Sequence, residues 1–150
     1  MSETETTQAL LMGMAGEIFA LDARLVREIL DPAPAVRVPG ARPYVAHVLN
    51  VRGKVIPLAD LRVRFGLEPA VITPDSRFVV IEVDLDGDPT AVAVIADKVF
   101  EVTELDSADL QKTPPVGLHW RPEFIAGIAK WKDDFIVLPD MSKIFSLALE

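Results

Sequence analysis

Asp84, Asp86 and Asp88 sit at alternate positions, the spacing with which a calcium loop begins. Pro89 then stands where the sharp-turn glycine belongs and Ile95 replaces the bidentate glutamate, so the segment reads as a turn. His47 and His119 are the two histidines, and neither belongs to a pair at metal-ligand spacing. Ser2, Ser76, Ser107 and Ser142 lack the context of a nucleophile elbow, and no glycine-rich phosphate loop occurs. Asp60 and Asp140 have the chemistry of a carboxylate pair, yet each precedes a short apolar segment as a helix cap does. The absence of cysteine removes disulfides, thiolate nucleophiles and thiolate metal sites. No catalytic constellation emerges, and no cofactor or metal is expected.

The elements that carry these residues are short. Gln8 to Leu21 reads as a hairpin turning at Gly13 to Glu17, and Arg24 to Leu30 runs to a break at Pro32-Ala33-Pro34. Val45 to Val51 and Lys54 to Leu58 are β-rich arms around Arg52-Gly53, where glycine accepts the positive φ of a tight turn. Asp60 caps a helix over 61–65 that Gly66 ends. Phe78 to Val83 and Thr90 to Ala96 are buried strands joined through Asp86-Gly87, and Lys98 to Leu105 alternates as a further strand. About ten short strands with small helices predict an all-β pair of barrels. Trp120 and Trp131 read as core plugs or interface anchors.

Residues 44–65 are echoed without a gap by residues 124–145. Ala46/Ala126, Ile56/Ile136, Leu58/Leu138, Asp60/Asp140 and Phe65/Phe145 are identical, and polar Arg52-Gly53-Lys54 faces polar Lys132-Asp133-Asp134. Val26-Arg27-Glu28-Ile29 and Val99-Phe100-Glu101-Val102 form a fainter echo. Two copies of one unit predict two pseudo-equivalent subdomains. The 150 residues suffice for one domain with a real core. Residues 1–10 are expected to form a flexible leader, and 11–150 a single domain of two barrels. The polar start lacks the features of a secretory signal, and no uncharged apolar run reaches the length of a membrane span. A net charge of −8 argues against a nucleic-acid partner and against attraction to a membrane surface. Arg52, Lys54, Arg62 and Arg64 gather locally, as a solvated face with a short amphipathic helix would.

The run His47-Val48-Leu49-Asn50-Val51-Arg52-Gly53-Lys54-Val55-Ile56-Pro57-Leu58-Ala59-Asp60-Leu61 resembles the signature of the CheW family of bacterial chemotaxis coupling proteins. Val26-Arg27-Glu28-Ile29, Ala93 to Val99, Phe124 to Gly127 and Leu138 to Ile144 resemble further motifs of that family, so the likeness covers nearly the whole chain. It implies two intertwined, five-stranded, SH3-like β-barrels with short helices. It implies a non-catalytic adaptor between the cytoplasmic tips of methyl-accepting chemoreceptors and the regulatory domain of a CheA-type histidine kinase. Such an adaptor is cytoplasmic and reaches membrane receptor arrays only through its partners. An adaptor of a related pathway controlling pili or development, or a kinase regulatory domain cut from its chain, shares the same features; the Met1 start and polar leader lead us to expect the stand-alone form. The partner-binding residues implied are Val26, Glu28, Ile29, His47, Asn50, Arg52, Lys54 and Val99. Val26, Glu28 and Ile29 would meet the kinase on an exposed edge, and Arg52 would order its hairpin and present a charge. The family generally has glycine at the positions of His47 and Ala93 and an aliphatic residue at that of Pro139, so His47 is expected beside the Arg52 hairpin as a determinant of partner choice.

Overall fold

Two-residue turns shape the hairpins of this chain, for which a computed structural model describes residues 6–106, 110–111 and 122–146. Ala15-Gly16, Arg52-Gly53 and Asp86-Gly87 all take positive φ at both positions (55° and 80°, 52° and 84°, 55° and 83°), the type I′ geometry whose twist matches that of paired strands. They join β1 (Thr6–Met14) to β2 (Glu17–Asp22), β5 (His47–Val51) to β6 (Lys54–Ala59), and β7 (Arg77–Leu85) to β8 (Asp88–Ala96). The three alternating aspartates thus lie at the tip of the β7–β8 hairpin, where Asp84 faces Pro89 and Leu85 faces Asp88. Gly13 is a strand residue opposite Ile18 and Lys98 rather than the start of the first turn. Its bare backbone leaves room for the Phe100 ring, which would stand 3.3 Å from an added Cβ.

The remaining strands are β3 (Val26–Leu30), β4 (Val36–Arg37), β9 (Lys98–Asp106), β10 (Leu110–Gln111), β11 (Ile125–Trp131) and β12 (Asp134–Pro139). One sheet has the order β9-β1-β2-β12-β11-β10 and the other β3-β7-β8-β6-β5-β4. Each therefore holds five long strands and one two-residue edge strand, with a single parallel contact at the equivalent place, β2 to β12 and β8 to β6. The first sheet forms a terminal barrel and the second a central barrel. β1 begins at Thr6, which pairs with Asp106, so residues 6–10 belong to the sheet and not to a leader. The apolar run Ala9-Leu10-Leu11-Met12 explains this, since it must be buried on both faces.

The equal strand orders expose how the repeat is built. In chain order, β1–β6 and β7–β12 are equivalent units, but each gives its first hairpin to the other's barrel: β1–β2 complete the terminal barrel and β7–β8 the central one. The exchanged hairpins have two apolar faces, following the period-2 alternation of a strand. Leu10, Met12 and Met14 with Val79, Ile81 and Val83 fill a centre shared by both barrels. The alternate residues fill the separate interiors: Ala9 and Leu11 with Ala129 and Ile136 in the terminal barrel, Phe78 and Val80 with Leu49 and Ile56 in the central one. Neither unit closes a barrel alone. Fragments 1–72 and 73–150 are accordingly expected to show no cooperative thermal transition separately and one shared transition when refolded together. Circular dichroism melts check this, and cooperative melting of either fragment by itself would contradict the exchange.

The repeated helices α1 (Leu61–Arg64) and α2 (Met141–Ile144) are single turns, far too short to be stable without packing. Asp60 accepts from Arg62 N at 3.1 Å and Asp140 from Lys143 N at 3.1 Å, and the two aspartate N–H groups donate to Tyr44 O and Phe124 O, each at 2.8 Å. The rings then cross between units. Tyr44 packs on Phe145 at 6.1 Å between centroids and Phe124 on Phe65 at 5.8 Å. Trp131 is half-buried, packed against the terminal barrel's interior with Lys132 Nζ 4.5 Å from its ring centre, whereas His119, Trp120 and Ser107 lie outside the described residues.

Candidate docking surface

The turn Arg52-Gly53 is locked before any partner arrives. Gly53 N–H donates to Asn50 Oδ1 at 2.8 Å, and the Arg52 guanidinium donates to Glu28 Oε2 on β3 at 2.6 Å. The two ends of this ion pair differ in exposure: the Arg52 side chain is 78% accessible and that of Glu28 only 23%. A carboxylate rooted in the barrel thus holds an arginine that offers its remaining donors outward. Ile29, next to Glu28 on the sheet's outer strand, is 44% exposed, and Val55, just after the turn, is more exposed still. Lys54, paired with Val51, adds a second cation. An apolar surface rimmed by anchored charges can recognise a protein partner, the apolar part by burial and the charges by complementarity.

Four of the eight residues expected to bind partners meet at this turn, Glu28, Asn50, Arg52 and Lys54, while Ile29 follows Glu28 on the opposite face of β3, paired with Val79. The other three stand elsewhere. Val26 pairs with Ile81 and, like it, packs against the shared centre. His47 opens β5 instead of standing beside the turn, and five residues at about 3.3 Å each separate it from Arg52 by roughly 16 Å. Val99 belongs to the terminal barrel, opposite Met12 and half-buried against the centre.

The local gathering of basic residues also disperses. Arg62 on α1 reaches Asp97 Oδ2 at 2.7 Å, and the same oxygen accepts Ala15 N at 3.0 Å, tying the central barrel's helix to a turn of the terminal barrel. Arg64 lies between the Tyr44 and Phe124 rings, 4.8 Å from each centroid, and donates from Nε to Ile144 O at 2.8 Å. Both arginines therefore set how the barrels sit together rather than forming a solvated face.

Sequence reasoning passed over an equivalent arrangement on the terminal barrel. Lys132 takes φ 54°, as Arg52 takes 52°, and its Nζ lies 3.8 Å from Glu101 on the outer strand β9. Exposed Val102 and Phe135 stand where Ile29 and Val55 do in the first copy. The aligned pairs Arg52/Lys132, Val55/Phe135 and Glu28/Glu101 were the available signs. Among the described residues no group of three His, Asp or Glu side chains forms a metal site, and no helix is long and apolar enough to cross a membrane.

The likeness to known proteins follows this geometry. The chain is 29% identical over 127 residues to a chemotaxis protein CheW of Rhizobium meliloti, covering 85% of this chain and 79% of that one. It is 28% identical over 125 residues to the protein PilI of Pseudomonas aeruginosa, covering 83% and 67%. The crystal structure of the scaffolding protein TtCheW from Thermoanaerobacter tengcongensis superposes with a TM-score of 0.83 at 28% identity, over 97% of this chain and 91% of that chain. The model of the CheW-like domain matches residues 8–149, a span that includes both barrels and the Glu28–Arg52 surface: the chain belongs to the CheW-like domain family.

Proposed function

We propose that this protein is a non-catalytic scaffold of bacterial chemotaxis, coupling the cytoplasmic tips of methyl-accepting chemoreceptors to a CheA-type histidine kinase. The observation that carries this reading is the turn at Arg52, fixed by Asn50 and by the Glu28 ion pair beside exposed Ile29. The end of the central barrel would dock the kinase's regulatory domain, and the groove between barrels would receive a receptor helix. Tyr44, Val63 and Arg64 line a cleft of about 320 Å³ at that junction. The scaffold is cytoplasmic in this reading and joins membrane arrays through its partners, and the changes in kinase activity come from how the partners are held.

Arg52→Ala tests it. An exposed ion pair contributes about 0–1 kcal/mol to stability, so the melting temperature should shift little. Receptor-dependent kinase activation in reconstituted arrays should fall by about tenfold, the size of effect expected where a charge-assisted contact to a partner is removed. Unchanged activation would reject this docking surface. The similarity to PilI supports a second reading, in which the same scaffold serves a pathway controlling pili; the native kinase and receptor recovered with the protein distinguish the two.

A further inference from the structure

The two barrels open at equivalent places, and the openings differ in a way the repeat makes visible. In the terminal barrel Ala126 and Leu138 line a cavity of about 310 Å³ whose charged groups are Asp22 and Asp106. The Asp22 carboxylate is paired with Arg24 at 2.7 Å, whose hydrogen bond holds it below the usual carboxylate range, and neither charged residue of this lining is a cation. In the central barrel the equivalent Ala46 and Leu58 line a cavity of about 630 Å³, edged by Arg37 and His47. That volume lies in the range of small-molecule sites, about 300–1,000 Å³.

We propose that the mouth of the central barrel binds an amphiphilic carboxylate, with its apolar body inside and its carboxylate held by Arg37 and His47. These two residues are direct cross-strand partners on β4 and β5, so their side chains share a face about 5 Å apart at Cβ. Among the described residues neither side chain has a hydrogen bond or ion pair. Arg37 offers a forked set of donors that matches a carboxylate, and an imidazole supplies at least one N–H in either protonation state. Asp60, the one carboxylate among the lining residues, has Oδ1 bonded to Arg62 N at 3.1 Å and Oδ2 to Ala70 N at 2.9 Å, so it makes no hydrogen bond to Arg37 or His47. The floor is Leu58, Phe78 and Ile95, all buried. The walls are set in advance: Val38 N donates to Ala46 O at 2.8 Å on one side, while the Asp60–Ala70 bond and the Thr73 N to Ser76 Oγ bond at 2.8 Å fix the other. A ligand therefore meets a formed pocket and loses little to ordering it. This site stands some 16 Å from Arg52, along β5, and is independent of the proposed docking surface.

Sodium decanoate, kept below its micellar concentration, is the probe. Amide resonances of the full chain should shift saturably with one equivalent, the shifts confined to residues lining the central mouth, and decanol should bind about tenfold more weakly because it lacks the charge-assisted contacts. Arg37→Ala, at an exposed position that leaves the core intact, should weaken decanoate by a similar factor and leave decanol unchanged. Ala46→Trp, which fills the mouth, should abolish both. Absence of saturable binding, equal affinity for decanoate and decanol, shifts at the terminal mouth instead, or wild-type binding by Arg37→Ala would each overturn the proposal.

Discussion

Phe124→Ala is expected to destabilise the protein by about 3–5 kcal/mol, the range for truncating a fully buried phenylalanine. Phe124 is wholly inaccessible, and three neighbours depend on it. Phe65 packs against the ring at 5.8 Å and 43°, the Arg64 guanidinium lies 4.8 Å from its centre, and its backbone carbonyl receives Asp140 N–H, the first link of α2. Truncation leaves the last of these bonds but removes the ring that fills the junction between units. It also strips one aromatic face from a guanidinium held between two, which adds a polar term to the cavity term. Urea titrations measure the effect, the midpoint falling with little change in slope. Phe135→Ala is the control: that ring is 63% exposed on the terminal barrel and should change stability by no more than about 0.5 kcal/mol. A loss below about 1 kcal/mol for Phe124→Ala would mean that the centre is not the common core of the two barrels.

The repeat of 44–65 in 124–145 was legible because everything that defines it is local. Alternating apolar arms, a turn that accepts positive φ, a capping aspartate and a phenylalanine one helical turn later can all be read within 22 residues of sequence. The exchange of hairpins was not legible. The β1–β2 and β7–β8 hairpins share little beyond a glycine at the second turn position, and which barrel a hairpin completes is decided by pairings between distant residues, such as Leu58 with Ala93 and Ile136 with Ile18. Charge placement failed for a related reason. Arg52, Arg62 and Arg64 are neighbours in sequence, but one lies on a turn and the other two point to different sides of a helix. Their partners Glu28, Asp97 and Ile144 come from three separate elements. His47 was misplaced by the opposite error, since a few residues mean proximity in a turn and separation along a strand.

Ile29→Glu is expected to weaken binding of the kinase regulatory domain at least about 30-fold, the consequence of burying an unpaired charge at the centre of an interface. The adjacent strand position distinguishes this from damage to the fold. Val26 and Ile29 share β3 and one face of it, their partners Ile81 and Val79 both belonging to the shared centre. Yet Val26 packs against that centre, while Ile29 lies past its edge and stays 44% exposed. A glutamate at Val26 must be desolvated inside the protein itself, so Val26→Glu should lower the melting temperature and lose partner binding only as a result. A glutamate at Ile29 meets water in the free protein and loses it only on docking, so stability should stay within about 0.5 kcal/mol of wild type. Calorimetric titration against a purified regulatory domain, with thermal melts of both variants, separates the cases. Tight binding by Ile29→Glu would move the kinase contact away from the outer strand of the central barrel, and the equivalent strand of the terminal barrel, with Val102, Phe135 and the Glu101–Lys132 pair, would become the surface to examine by the same substitution.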